Sequence, residues 1–398
     1  MTIRVSVLIT IIFLFLSCQC KDTDMEKMIR NDLEVAGEQL SCLAEMYRDS
    51  TVFPRSWEDG QYYDKDYSDW TSGFIPGSLW LYYEMTGDKR FAEQARIFTA
   101  KLKDVPFIES THDLGFMVLN SYGRQYENDR DSVSLSALVS ASNSLIKRFD
   151  ERIGAIRSWD FGEWNYPVII DNMMNLEMLF RVSELTGNPV YREVAVRHAE
   201  TTLKNHFRDD ASSYHVVSYN DDGSVERKCT FQGYSDSSHW ARGQAWGLYG
   251  YTLCYRYTGE KRYLQQAMRI ARMIEDQVLS QDAIPWWDYD DPSIPDAPKD
   301  ASAAAVTASA LLELQGMVSC AEGAEWVNYA IRILTSLSGE EYLSAPGENG
   351  FFVLRHSTGA APFDSEIDVP LNYADYYFLE ALQRLSKLKS IHTQKMGL

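Results

Sequence analysis

Cysteine is scarce in this sequence, with 6 in 398 residues, and the four that lie beyond residue 20 are widely separated. These four are Cys42, Cys229, Cys254 and Cys320, and no CxxC pair occurs among them. Such spacing argues against a zinc site and against a disulfide scaffold. We therefore expect buried free thiols.

Basic residues are also few relative to acidic ones. The chain has 38 Lys and Arg against 57 Asp and Glu, a formal net charge of −19 at pH 7. This balance argues against nucleic acid and against anionic membrane surfaces as partners, because both repel a strongly acidic protein. An anionic substrate would have to be attracted by a few local cations.

The N-terminal apolar run, residues 5–16 after Arg4, is too short to span a bilayer comfortably. It is typical of a signal peptide over residues 1–17. Cys18 follows directly, as in a bacterial lipoprotein whose first mature residue is a lipidated cysteine. We expect an exported protein, in the periplasm or attached to the membrane through a lipid on Cys18. Ordinary secretion, with Cys18 and Cys20 lost or left in a tail, is the alternative.

Beyond the N-terminus the chain repeats one pattern: an apolar helix, a Thr-Gly turn, and an amphipathic helix. Gly87, Gly187 and Gly259 stand where a helix C-cap favours glycine. Repeated helical hairpins predict an all-α protein, with about a dozen helices closed into an (α/α)6 barrel. An open solenoid is the alternative. The best strand signals, residues 214–218 and 351–354, are short.

The domain boundaries follow from the same pattern. No Pro/Ser-rich linker divides the chain, so we expect a single barrel domain over residues 24–385 and a C-terminal tail over residues 386–398. In an inner ring of apolar helices, the loops at the N-terminal ends face one cleft. Loops rich in Trp, Asp and His precede several of these helices, which favours a closed ring with one working face.

Asp171 lies in an apolar and aromatic stretch after Trp159 and Pro167. Proline is favoured in the first turn of a helix, so the pattern predicts a helix that begins at Pro167. An acid in such surroundings is costly to ionise unless something pairs with it. Asp171 therefore either holds a proton for chemistry or is structural, as a helix cap or the partner of an arginine.

His239, Arg242 and Trp246 would share one face of a helix at spacings of 0, 3 and 7. A cation beside an aromatic ring suits a uronic acid, which offers a carboxylate and a pyranose face. The alternative for Arg242 is a buried ion pair with an acid of the barrel. For Trp246 and Trp159 the alternative is core packing.

Two further patterns have structural alternatives. His112 in the sequence HDLGF is either a site residue or a loop histidine with its hydrogen bonds satisfied. The acidic stretch from Asp288 to Asp300 matches no EF-hand spacing, which argues against a calcium loop.

Five motifs together resemble the unsaturated glucuronyl hydrolases of glycoside hydrolase family 88. They are HDLGF (112–116), VIIDNMMN (168–175), QGYSDSSHWARGQAWGLYG (232–250), PKDASAAAVTASALLEL (298–314) and VPLNYADYYFLEAL (369–382). The likeness extends over roughly residues 24–385. It implies an (α/α)6 barrel that acts on an unsaturated oligosaccharide. We expect no metal, no cofactor and a monomer.

The resemblance also implies roles for individual residues. Asp171 would be the main catalytic acid/base and Asp113 a second catalytic carboxylate. Substrate-contacting positions would be Trp70, His112, Trp159, His215, Gln232, Arg242 and Trp246.

The substrate that the family implies carries a C4=C5 double bond in its non-reducing uronate. Protonation of C4 makes a cation at C5 that the ring oxygen shares, and water then adds at C5. One carboxyl group can donate the first proton and accept the second, provided that its pKa is raised. Apolar neighbours and a nearby second carboxylate raise a pKa in this way, and Asp171 and Asp113 are suited to these two roles.

Two other functions remain open at the level of the sequence. One is an unsaturated rhamnogalacturonyl hydrolase of family 105, which shares the barrel and the hydration chemistry but acts on pectin fragments. HDLGF with Asp113 favours family 88. The other is a non-catalytic glycan-binding lipoprotein that has kept the cleft. The sequence does not indicate which linkage or sulfation pattern is preferred.

Overall fold

A computed structural model describes the backbone of residues 3–278 and 280–395 and the side chains of residues 24–278 and 280–388. The predicted signal peptide, residues 1–17, and Cys18 lie outside the residues whose side chains are described. Within the described part of the chain, no helix combines the length and hydropathy that a bilayer span requires.

Twelve helices, numbered α1–α12, make up most of the described chain. Their bounds are α1 Ile3–Tyr47, α2 Phe74–Thr86, α3 Lys89–Ala100, α4 Gly115–Gly123 (wound as a π-helix) continuing over Arg124–Asp129, α5 Ser132–Ile146, α6 Asn172–Thr186, α7 Pro189–Asn205, α8 Ala241–Thr258, α9 Lys261–Gln277, α10 Ala301–Leu314, α11 Cys320–Leu337 and α12 Asn372–Lys395. Helix α12 runs through most of the predicted C-terminal tail.

The even-numbered helices form a closed inner ring. Helix α2 contacts α4, and the contacts continue in order through α6, α8 and α10 to α12, which contacts α2 again. The helices α3, α5, α7, α9 and α11 each pack on the outside of the inner helix that precedes them, and α1 packs against α2. The predicted (α/α)6 barrel is therefore confirmed, and the open solenoid is excluded by the contact between α12 and α2.

The burial of the helices explains which ring each one joins. Every residue of α8 from Ala241 to Cys254 is buried, because an inner helix packs on all sides. The outer helix α9 buries one face, with Tyr263, Ala267, Ile270 and Ile274 at helical spacing.

Glycine ends three of the inner helices, as the sequence predicts. Gly87, Gly187 and Gly259 close α2, α6 and α8 with φ angles of 75°, 72° and 70°. Each donates its backbone N–H to a carbonyl four residues earlier. This left-handed cap turns the chain into the following outer helix.

Seven short strands, β1–β7, lie in the segments that connect the helices. Their bounds are β1 Phe53–Glu58, β2 Gln61–Lys65, β3 Phe149–Asp150, β4 Ala155–Ile156, β5 Pro167–Ile169, β6 Val216–Tyr219 and β7 Val225–Cys229. They pair antiparallel as β1–β2, β3–β4 and the three-stranded sheet β5–β6–β7.

Three sequence-based predictions of local structure are corrected. Pro167 begins strand β5 instead of a helix, since Pro167, Val168 and Ile169 pair with Ser218, Val217 and Val216. The predicted strand at 214–218 is confirmed only in part, by β6. The segment 351–354 is no strand: Phe351 ends a 3₁₀ turn that begins at Asn349, and Leu354 forms a single bridge with Leu343.

The four cysteines whose side chains the structure describes are free, but only two of them are buried. Cys229 and Cys254 are buried, as expected. Cys42 and Cys320 are exposed because they lie on the outer helices α1 and α11, each of which has a face in solvent.

Candidate active site

The nine predicted site residues gather at one end of the barrel, around the N-terminal ends of the inner helices. Most of them contact one another or contact the same neighbouring residue. His112, Asp113 and Arg242 are also close enough for their charges to shift the pKa of Asp171. They lie in loops that precede α2, α4 and α6, directly before strand β6, in the loop after β7, and in the first turns of α8. The members are Trp70, His112, Asp113, Trp159, Asp171, His215, Gln232, Arg242 and Trp246.

Asp171 occupies the N-cap position of α6, but its side chain caps no backbone N–H. The residue is only 9% exposed. Its Oδ2 has no hydrogen-bond partner in the described part of the chain and lies 3.6 Å from Nε2 of His215. Neither structural alternative for Asp171, a helix cap or an arginine partner, is therefore found.

His215 is held in one tautomer. Its Nδ1 accepts hydrogen bonds from the backbone N–H groups of Phe231 and Gln232, both at 3.1 Å. An imidazole nitrogen that accepts cannot carry the proton, so the ring proton resides on Nε2, the atom that faces Asp171. Burial holds the pKa of His215 well below its usual value, so the ring is neutral.

Burial also raises the pKa of Asp171, to about 7. His112 and Arg242 favour the ionised form and oppose this rise, while the negative charge of Asp113 adds to it. A desolvated carboxyl group with a neutral imidazole beside it keeps its proton near neutral pH, as a general acid requires.

Asp113 is in a different environment. Burial alone would raise the pKa of Asp113, but His112 and Thr111 outweigh it and hold that pKa below its usual value. His112 Nε2 lies 3.1 Å from Oδ1 of Asp113, and the Thr111 hydroxyl donates to Oδ2 at 2.7 Å. The site thus pairs one neutral carboxyl group with one carboxylate.

Gly115 sets the distance between the helices that carry the two acids. A Cβ at Gly115 would lie 2.6 Å from the Cα of Asn175, closer than atoms can approach. The Asn175 Oδ1 also accepts from the backbone N–H of Phe116 at 3.1 Å. The glycine of HDLGF therefore allows α4 to lie directly against α6.

Arg242 forms the buried ion pair that was its structural alternative. Its Nη1 donates to Oδ2 of Asp300 at 2.9 Å and to the carbonyl of Thr358. Its Nη2 donates to the carbonyl of Gly359. With the residue 1% exposed, the guanidinium holds a loop against α10, and its charge still favours the ionised form of Asp171.

The loop that Arg242 holds, residues 356–366, is called the strap here. Gln232 Nε2 donates to the same Gly359 carbonyl at 3.3 Å. At the far end of the strap, Glu366 accepts two hydrogen bonds from Arg55, at 2.8 and 2.6 Å. Two predicted site residues thus position the strap beside the cleft.

Tryptophans form part of the floor of the site. Trp246 is fully buried, and its ring centroid lies 5.3 Å from that of Phe116 and 5.4 Å from that of Tyr377. Trp246 therefore packs in the core, which was the alternative to substrate contact. Trp70 is partly exposed and lies 5.3 Å from Phe116, so it can face a ligand.

Trp159 forms one wall of the site. Its ring lies 6.3 Å from that of His215 and is stacked on Phe161 at 4.9 Å. The residue is 9% exposed, so packing and a ligand-facing edge are both compatible with its position.

The prediction that His239, Arg242 and Trp246 share one helical face is wrong for His239. Helix α8 begins at Ala241, and His239 precedes it. The His239 ring contacts Asp290 and Asp210 at the surface instead. Helical spacing does not apply to His239 because a bridge between Trp240 and Asp288 keeps this segment extended.

Asp288 has a structural role in the described fold. Its Oδ2 accepts from the backbone of Tyr234 at 2.8 Å and from Ser238 Oγ at 2.7 Å, and its Oδ1 accepts from Asp290 N at 3.0 Å. These bonds join two loops at the rim of the site.

Tyr373 belongs to the site although no sequence pattern singled it out. It is the second residue of α12, its ring lies 4.9 Å from Trp70, and Arg242 lies 5.4 Å from the ring centroid. Its hydroxyl is buried without a hydrogen-bond partner in the described part of the chain. The available signal was its position at the start of an inner helix, within the motif VPLNYADYYFLEAL.

A separate cavity of about 510 Å³ lies inside the barrel. It is lined by α4, α6, α8 and α12, from Phe116 and Met174 to Arg181 and Tyr257, and it includes neither Asp171 nor Asp113. We place the chemistry at the loops because the unpaired acid and its histidine are there, and cavity size alone does not locate a reaction.

Comparison with known proteins identifies the family of the chain. Residues 46–385 match the model of Glycosyl Hydrolase Family 88. The chain is 41% identical over 388 residues to an unsaturated glucuronyl hydrolase of Formosa agariphila, which covers 94% of this chain and 96% of that protein.

Solved structures give the same result. A crystal structure of an unsaturated glucuronyl hydrolase specific for heparin has a TM-score of 0.90 and 46% identity, covering 92% of this chain and 98% of that one. The unsaturated glucuronyl hydrolase of Bacillus sp. GL1 has a TM-score of 0.84 and 32% identity, covering 89% and 97%. A family match over most of the chain, together with these identities, means that the protein belongs to glycoside hydrolase family 88.

Proposed function

We propose that this enzyme removes the 4,5-unsaturated uronic acid from the non-reducing end of glycosaminoglycan oligosaccharides produced by polysaccharide lyases. The observation that carries this proposal is the buried, unpaired Asp171, whose pKa is raised to about 7 beside a neutral His215. Relatives of the chain that are named unsaturated glucuronyl hydrolases support it.

The reaction is a hydration and not a direct attack on the anomeric carbon. The protonated Asp171 carboxyl group gives its proton to C4 of the uronate, and the resulting cation at C5 is shared with the ring oxygen. A water molecule adds at C5 and returns a proton to the Asp171 carboxylate, giving a hemiketal. The hemiketal opens to a C5 ketone, and the hemiacetal left at C1 releases the remaining sugar as an alcohol.

His215 is a positioning residue in this scheme. Its Nε2–H faces Oδ2 of Asp171, so it can stabilise the carboxylate that forms once the proton has left. Because the ring is neutral, it does so without a charge that would lower the pKa of Asp171 beforehand.

Asp113 would act as a fixed negative charge near the reacting ring. Its bonds to His112 and Thr111 keep it ionised, so it raises the pKa of Asp171 and can stabilise the cation at C5. Two inequivalent carboxyl groups separate the roles of proton donor and electrostatic stabiliser.

We propose substrate-contacting roles for Trp70, Trp159 and Gln232, which keep some exposed surface. His112 is only 1% exposed, so we propose that it acts on the substrate through Asp113. Trp246 would support the floor through Phe116, and Arg242 would position the strap while adding positive charge near the uronate.

The experiment that tests this function is turnover on a panel of lyase-generated disaccharides from hyaluronan, chondroitin sulfates and heparin. Loss of the ultraviolet absorbance of the conjugated double bond reports the reaction. Reaction in D₂O, with the product examined at early times, should place one deuterium stereospecifically at C4. Direct hydrolysis at C1 would release an enol that acquires deuterium at C4 without facial preference.

The same assay tests the alternative of an enzyme that acts on pectin fragments. A family 105-like enzyme would consume unsaturated rhamnogalacturonan disaccharides in preference to chondroitin disaccharides. The match to family 88 over residues 46–385 favours the glycosaminoglycan substrates. A non-catalytic glycan-binding protein would bind the disaccharides without any loss of absorbance.

We also propose that the protein is exported and acts as a monomer, either in the periplasm or attached through a lipid on Cys18. The apolar run of residues 5–16 and the cysteine that follows it support this location. Mass spectrometry of the N-terminal peptide from cells that make the protein, together with sedimentation of the purified enzyme, tests these two points.

A further inference from the structure

Several aromatic side chains continue outward from Trp159 to the surface. We call Trp159, Phe161, Trp164, Phe231 and Phe363 the aromatic rim. Ring centroids in this group lie 4.9 Å apart for Trp159 and Phe161, 5.3 Å for Trp159 and Phe231, and 4.6 Å for Phe231 and Phe363. Three separate segments of the chain therefore bring their aromatic residues to one place.

Two members of the rim are exposed to an extent that packing does not explain. Phe161 is 54% exposed and Phe363 is 51% exposed, although their ring partners Trp159 and Phe231 are largely covered. Both are on loops, where exposed apolar side chains more often serve binding than stability.

The strap fixes the position of Phe363. The hydrogen bonds from Arg242 and Gln232 to Gly359 hold one end of the strap, and Arg55 holds Glu366 at the other. His356, Asp364 and Glu366 adopt φ angles of 60°, 50° and 55°, which non-glycine residues seldom do. Such conformations are retained at sites where a loop must present particular side chains.

A cation borders the same surface. Arg227 lies 5.6 Å over the Trp164 ring and donates to the backbone carbonyl of Glu163. Within the described part of the chain, its hydrogen bond goes to a backbone carbonyl, and it forms no ion pair with a carboxylate. Its charge is therefore available to an acidic ligand at the edge of the rim.

We propose that the aromatic rim and Arg227 form a further subsite for the second disaccharide unit of an unsaturated tetrasaccharide. Pyranose faces stack on Phe161 and Phe363, and the carboxylate of the internal uronate pairs with Arg227. Continuity with the candidate active site supports this occupant, since Trp159 joins the rim to His215 and thereby to Asp171. This inference rests on the proposed function and extends it from disaccharides to longer substrates.

The test is the ratio of kcat/KM for an unsaturated tetrasaccharide to kcat/KM for the matching disaccharide. The wild-type enzyme should favour the tetrasaccharide. Phe161→Ala and Phe363→Ala should each lower the ratio about threefold, and the double variant about tenfold, as expected for lost stacking. Arg227→Gln should lower it by a similar factor, and this effect should weaken as salt is added.

Phe107→Ala is the matched control. Phe107 is 67% exposed and makes no ring contact within the described residues, so its removal should leave the ratio unchanged. An unchanged ratio in the double variant would overturn the subsite. Equal losses on both substrates would also overturn it, because they would indicate damage to Trp159 and not a lost outer contact.

The two proposals fail separately. An enzyme that consumes neither substrate contradicts the proposed function. In that case, calorimetry should compare binding of the tetrasaccharide to the wild type and to the double variant. Weaker binding by the double variant supports the subsite at the aromatic rim, and equal binding contradicts it.

Discussion

The Nε2 of His215 lies 3.6 Å from the Oδ2 of Asp171, and neither atom has a hydrogen-bond partner in the described part of the chain. Two backbone N–H groups that donate to Nδ1 place the ring proton on the side of Asp171. The pair is therefore a neutral imidazole beside a neutral carboxyl group. In this state Asp171 can transfer its proton to a carbon atom, and the Nε2–H of His215 can then donate a hydrogen bond to the carboxylate that forms.

The pH dependence of the reaction should have one limb near neutrality. Asp171 must be protonated at the start, and its pKa is raised to about 7, so kcat/KM should fall as the pH rises through about 7. Asp113 must be ionised, and its pKa is held below 3.8, so no acid limb should appear above that value.

Initial rates over pH 4–9 measure this profile. The infrared difference spectrum between the wild type and Asp171→Asn should contain the carbonyl band of the protonated Asp171 carboxyl group. This band should disappear as the pH rises, with the same midpoint as the fall in kcat/KM. A midpoint near 4 would contradict the raised pKa.

Asp171→Asn should be more stable than the wild type at high pH. The pKa of Asp171 is raised from 3.8 to about 7 on folding, so its contribution is fully present below 3.8 and is lost as the pH rises through 7. Asparagine does not ionise, so the difference in unfolding free energy between variant and wild type should widen by on the order of 2 kcal/mol from pH 5 to pH 8.

Urea unfolding at the two pH values measures this difference. Asp160→Asn is the control, because Asp160 is exposed and its carboxylate already pairs with Arg148. If the variant and the wild type lose stability in parallel between pH 5 and pH 8, Asp171 is ionised throughout.

Gly115→Ala should impair both folding and activity. The added Cβ would lie 2.6 Å from the Cα of Asn175, so α4 must move away from α6. Overpacking of this kind costs about 1–3 kcal/mol, and it should also displace Asp113 relative to Asp171.

Gly316→Ala is the matched control, since no atom lies within 4 Å of the position that its added methyl group would take and the residue has no positive φ. Melting temperature and kcat/KM should both be close to wild type in this control. A fully active and stable Gly115→Ala protein would mean that the two inner helices do not need this close contact.

Arg242→Ala should act mainly through stability. Removal of the guanidinium leaves Asp300 buried without its ion-pair partner, which typically costs about 3–5 kcal/mol. The freed strap should also raise KM more than it lowers kcat. Arg272→Ala, at an exposed pair with Glu322, should change stability by no more than about 1 kcal/mol.

Denaturant unfolding and steady-state kinetics on the same preparations distinguish these effects. A loss confined to kcat, with stability unchanged, would place Arg242 in the chemical step instead of in the support of the strap.

Local signals in the sequence were sufficient for the barrel and for the end at which the site lies. The Thr-Gly turns at Gly87, Gly187 and Gly259 mark helix ends because a left-handed cap depends on only a few neighbouring residues. The raised pKa of Asp171 was expected from its apolar neighbours, and the structure agrees.

Long-range pairing was not visible in the same way. Pro167 begins a strand because Ser218, 51 positions later, pairs with it. The ion pair between Arg242 and Asp300 joins two inner helices, so spacing within α8 could not distinguish it from a ligand-binding arginine. The exposed Phe363 gained significance only when the strap placed it on Phe231.

The central claim is that the proton comes from Asp171, and the most direct test is turnover by Asp171→Asn on an unsaturated disaccharide. Asp160→Asn is the control, because Asp160 is exposed and its carboxylate pairs with Arg148 at the surface. We predict that Asp171→Asn binds the disaccharide but loses about 10⁴-fold in kcat, while Asp160→Asn retains turnover. Near-normal turnover by Asp171→Asn would contradict the account.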